Sequence, residues 1–120
     1  MSNAEQLDRI EVSLEEAKRL IELKNAIVNL SNNKDFDLII HNNYFEKESQ
    51  RLVMLKCDPS FQTEEGRKGI DVSMYGISAL RRYFQLIIQQ GELAERAMID
   101  DENTREELLH ESFTGVEMNG

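Results

Sequence analysis

The chain has 120 residues, 40% of them hydrophobic and 31% charged, with one proline, six glycines and no tryptophan. A chain of this size forms one domain and buries only about two-thirds of its unfolded surface, and its composition suits helices rather than a sheet protein or a disordered segment. A net charge of −9 repels phosphate backbones and anionic headgroups, which argues against nucleic acid and membrane as generic ligands.

The first expected helix starts at Ser13, where Ser13 and Glu16 have the spacing of a capping box and Val12 and Ala17 that of a hydrophobic staple. Leu20, Leu23, Ile27 and Leu30 then recur at three- and four-residue intervals, with Ile21 and Val28 beside them. Ser31, Asn32 and Asn33 end this helix, and either asparagine can cap the next. Asp35 and Asp37 suit the positive end of that second helix, and Phe36, Ile39 and Ile40 give it an apolar side. His41, Asn42 and Asn43 read as an interruption. Beyond them Leu52, Val53, Met54 and Leu55 form an apolar segment that Asp58, Pro59 and Ser60 stop, because the residue before proline disfavours helical backbone.

The stretch from Thr63 to about Asp100 carries the strongest pattern. Ile70, Ile77, Phe84, Gly91 and Met98 repeat every seven residues, with Leu80, Ile87 and Ala94 in the companion position and Met74, Ile88 and Ala97 alongside. A continuous helix here would be on the order of 50 Å long, longer than the preceding helices readily cover, so part of the seam is expected to face another subunit. Gly76 and Gly91 are either points of close approach or weak spots. Asp100, Asp101, Glu102 and Asn103 read as a break, followed by a short helix over residues 104–111 and a loose tail over 113–120.

No chemical constellation emerges from the residues. His41 and His110 lie far apart outside zinc spacings, and the single Cys57 rules out an internal disulfide and reads as a packed or half-exposed thiol in a reducing compartment. Glu15-Glu16, Glu64-Glu65 and Glu106-Glu107 sit at helix starts, where dipole stabilisation accounts for them. No catalytic residue, metal ligand or cofactor follows, and the chain reads as a non-enzyme. Arg81, Arg82, Tyr83 and Phe84 have the composition of an interface anchor or, equally, of a solvated arginine pair flanking a core phenylalanine. Arg51, Lys56, Arg67 and Lys68 could join them to hold a small acidic ligand. Charge is uneven: from Glu92 onward nine acids face only Arg96 and Arg105, while residues 47–91 are mildly basic, a polarity that suits head-to-tail assembly, a basic partner or a solvated helix end. No apolar run approaches the roughly 18 residues of a membrane span, and MSNAEQLDRIEV lacks the blocks of a signal peptide, so a cytoplasmic location is expected.

Three stretches taken together, SLEEAKRLIELKNAIVNLSNNKDF, YFEKESQRLVMLKCDPSF and GISALRRYFQLIIQQGELAERAM, resemble small uncharacterised helical proteins of tailed bacteriophages over residues 12–102. The resemblance implies a viral protein in an infected bacterial cell, located in the host cytoplasm or the virion, and transfers no functional residue. The absence of a long basic C-terminal segment lowers a scaffolding role.

The expected architecture is all-α: a helical domain over residues 1–112 in which a long helix at about 63–100 packs against helices at about 13–31 and 34–57. The expected role is binding protein, as a homo-oligomer or with another phage or host protein, through Ile70, Ile77, Leu80, Arg81, Arg82, Phe84, Ile87 and Ile88. The alternative is a small acidic inhibitor of a host enzyme or defence factor that imitates nucleic-acid charge.

Overall fold

Ser2, rather than Ser13, opens the first helix. Its hydroxyl accepts the amide of Glu5 at 3.2 Å and its carbonyl accepts the amide of Gln6, which makes it the N-cap. The computed structural model describes residues 2–119, with side chains through Phe113, and those residues are helical apart from short connections, with no strand. Helix α1 spans Asn3–Ser31. It starts ten residues earlier than the capping pattern predicts because Leu7 and Ile10 already carry the three–four spacing that continues through Leu14 and Ala17. That phase turns the buried stripe away from the expected one: Leu20 and Ile27 are half-buried, but Leu23, Val28 and Leu30 are exposed.

Asn33 caps the next segment, its side-chain oxygen accepting the amides of Asp35 and Phe36 at 3.0 Å each. One α-helical turn, α2 (Lys34–Phe36), leads directly into a π-helix over Asp37–Glu48 and then α3 (Ser49–Lys56). The expected interruption at His41–Asn43 is absent, because a wider turn carries Asn42 and Asn43 on the outside while half-buried pairs recur at 36/37, 40/41, 44/45 and 48/49. Asp58 and Pro59 do stop the chain: the Asp58 carboxylate accepts the amide of Ser60 at 2.8 Å and a 3-10 turn follows over Pro59–Phe61. Thr63 then caps α4, its hydroxyl accepting the amide of Gly66 at 3.1 Å.

Helix α4 runs without a break over Glu64–Asn119. The expected stop at Asp100–Asn103, the separate helix at 104–111 and the loose tail from Phe113 are all replaced by continuous helix, with Gly120 outside the described residues. Asp and Asn cost only about half a kcal/mol each in a helix, and neither glycine nor proline enforces a stop there. Contacts across to α1 and burial of Leu108 outweigh that cost.

Contacts divide the chain into two compact units, residues 1–25 with 87–120, and residues 26–86. In the first, Asn3 meets Ser112, Glu11 meets Arg105, Ser13 meets Asp101 and Lys24 meets Glu95, so position rises along α1 as it falls along α4 and the helices are antiparallel. Among its described residues Leu14, Ala17, Ile87, Gly91, Ala94 and Leu108 are buried. In the second, Leu52, Ile70 and Ile77 form the core, with Tyr44, Phe45, Leu55 and Met74 packed on it. Phe84 stands 6.0 Å from both Phe36 and Phe45 there.

Candidate functional site

The residues expected to meet a partner divide by depth. Ile70 and Ile77 are buried in the core of residues 26–86 and Ile87 is buried in the other unit, while Leu80, Phe84 and Ile88 are half-buried. This seam is therefore packed within the chain. Arg81 and Arg82 project to the surface, and among the described residues neither joins an ion pair. The wider basic patch is not assembled: Arg51 pairs with Glu48, Lys56 with Asp71 at 3.0 Å, and Arg67 donates to Gln62 at 2.6 Å. The Arg51 hydrogen bonds hold the Glu48 carboxyl below its ordinary range.

Cys57 is exposed rather than packed, and the described residues contain no group of three or more His, Cys, Asp or Glu able to hold a metal ion. His41 stacks on Phe45 and meets Phe36 edge-on, each with ring centres 5.6 Å apart, and its Nδ1 lies 2.9 Å from Asp37. These are the neighbours of a ring packed in an aromatic cluster.

The unoccupied apolar surface lies elsewhere. On α4 a second row follows the same seven-residue repeat two positions after the buried one: Val72, Ala79, Leu86 and Leu93, with Gly76, Tyr83, Gln90 and Ala97 between them. Within residues 26–86, Val72, Tyr75, Ala79, Tyr83 and Leu86 from this side are all exposed, Val72 and Tyr75 at 67% and 74%. Within the other unit, α1 and α4 flank a groove of about 580 Å³. Val12 and Leu20 wall it on α1 and Leu93 on α4; Ala17, Ala94 and Ala97 keep its floor low, and Arg9, Ser13, Glu16 and Gln90 rim it. Counting heptads from Val72 as well as from Ile70 would have revealed the second row in the sequence; the groove depends on how α1 and α4 pair and has no local signature.

Comparison with family models, with curated proteins and with solved structures finds no match for this chain. Its surface chemistry must speak for itself. The charge is divided as sharply as the apolar surface: residues 1–25 and 87–120 hold fifteen acids and six bases, the whole net charge of −9, whereas residues 26–86 balance at eight of each. No described helix is long and apolar enough to cross a membrane. A shallow apolar groove with small residues in its floor suits a packed helix better than a small polar substrate.

Proposed function

We propose that this chain is a non-enzymatic phage protein that acts by binding protein, as a homo-oligomeric or virion-assembly component whose exposed helical faces are completed by other chains. The observation that carries the binding role is surface. No large side chain among the described residues is fully enclosed, and seventeen large hydrophobic residues are exposed, with Val72, Tyr75, Tyr83 and Leu86 together on one side of α4. The phage setting rests on the sequence resemblance alone. Light scattering of the purified protein across a hundredfold concentration range tests the proposal: a mass above 13.9 kDa that rises with concentration is expected. A constant monomer mass would remove the homo-oligomeric reading.

The charge division favours a second reading, an inhibitor whose acidic unit of residues 1–25 and 87–120 occupies the basic surface of a host enzyme. Capture of a host protein that survives neutralisation of Asp100, Asp101 and Glu102 would eliminate charge mimicry.

A further inference from the structure

We infer that the groove formed by residues 1–25 and 87–120 is the docking site for the Val72–Leu86 face of α4 in a second copy of this chain. This rests on the self-association reading above and names the surfaces that carry it. Two independent features select that occupant.

The first is charge. The groove belongs to the unit that holds all nine net negative charges, whereas on α4 the bases one turn from the Val72–Leu86 face are Lys68 and Arg82, and Asp71 at its edge is already paired with Lys56. Groove against groove would set two strongly acidic surfaces together; groove against the Val72–Leu86 face sets acid against base.

The second feature is shape. Val72 to Leu86 spans about 21 Å of helix, and the α1 wall from Arg9 to Leu20 about 17 Å. Run antiparallel, the two heptad rows pair companion positions: Val72 against Ala97, Gly76 against Leu93 and Ala79 against Gln90. Each side offers a small residue where the other offers a larger one, so Leu93 enters the gap above Gly76 and Val72 the gap above Ala97. Among the described residues the Tyr44 hydroxyl alone approaches the first gap, 3.5 Å from where a Cβ at Gly76 would stand. The same register brings Lys68 level with Asp101 and Glu102.

The test uses two variants at exposed positions, Leu93→Glu in the groove and Ala79→Glu on the docking face, each checked for unchanged helicity. Each alone should weaken self-association at least about a hundredfold, because the carboxylate at 93 is forced into an apolar contact and the one at 79 is both crowded against Gln90 and set against the acidic unit. Mixed in equal amounts they should recover a complex, since the first retains an intact docking face and the second an intact groove. A charge pair at exposed positions, Lys68→Glu and Glu102→Lys, leaves the apolar surfaces untouched and should behave alike, each weaker alone and restored on mixing. Self-association that persists in both single variants, or mixtures that stay monomeric, would overturn the assignment while leaving oligomerisation intact. A wild-type protein that is monomeric throughout would overturn both.

Discussion

Gly91 belongs to the buried heptad row of α4 and Gly76 to the exposed one, and the two face opposite circumstances. A Cβ at Gly91 would clash with Cβ of Lys24, with Cδ and Cγ of the same side chain also inside 3 Å. Atoms so near the α1 backbone cannot swing aside as a flexible side-chain end would, so the helices would have to part locally. Lys24 is also held by its ion pair with Glu95. The helix-propensity gain of about 1 kcal/mol is then outweighed by an overpacking cost of roughly 1–3 kcal/mol. Gly91→Ala should therefore lower stability by about 1 kcal/mol, and Gly76→Ala should raise it by about 0.5–1 kcal/mol, as read from urea midpoints at a concentration that keeps the protein monomeric. Stabilisation by both would show that α1 and α4 do not approach closely at Gly91. Composition cannot distinguish these two glycines; the distinction comes from whether another helix passes within reach.

At the scale of elements, legibility follows how local each signal is. The Asn33 cap, the Asp58-Pro59 stop and the Thr63 start are visible in the sequence because each depends on a few adjacent residues. So is the Ile70–Ile77–Ile87 seam, a strong repeat on one helix. The π-helix is not, because apolar residues spaced by four to five fall out of phase with an α-helical count around His41 to Asn43. The continuity of α4 through Asp100–Asn103 is equally hidden, since it is held by long-range partners: Ser13 donates to Asp101 at 2.6 Å and Arg105 pairs with Glu11 at 3.0 Å. Leu108 anchors the segment beyond, buried while its neighbour Leu109 is 48% exposed. Leu108→Ala should cost about 2–3 kcal/mol and Leu109→Ala less than about 0.5 kcal/mol in chemical denaturation. Equal small effects would mean that residues past Asn103 do not pack on α1.

For the whole molecule, salt acts on two interactions with opposite sign. The fifteen acids and six bases of residues 1–25 and 87–120 leave a net negative charge that repels itself within a single chain, which opposes folding. At about 10 mM ionic strength the screening length is about 30 Å, comparable with the unit itself; at about 150 mM it is about 8 Å, and most of that repulsion is lost. In dilute monomer the thermal midpoint should therefore rise between these two conditions by about 4 °C, which corresponds to roughly 1 kcal/mol for a domain of this size. Docking of the basic Val72–Leu86 face onto the acidic groove obeys the reverse rule, because the charges it brings together attract. The association constant, measured by light scattering over the same range, should fall as the folding midpoint climbs. A burial-driven contact between uncharged faces would instead be nearly indifferent to this change in salt. The paired measurement thus separates a charge-guided interface from a purely apolar one: parallel increases in folding and association would place the docking surfaces away from the acidic unit, and divergence would tie them to it.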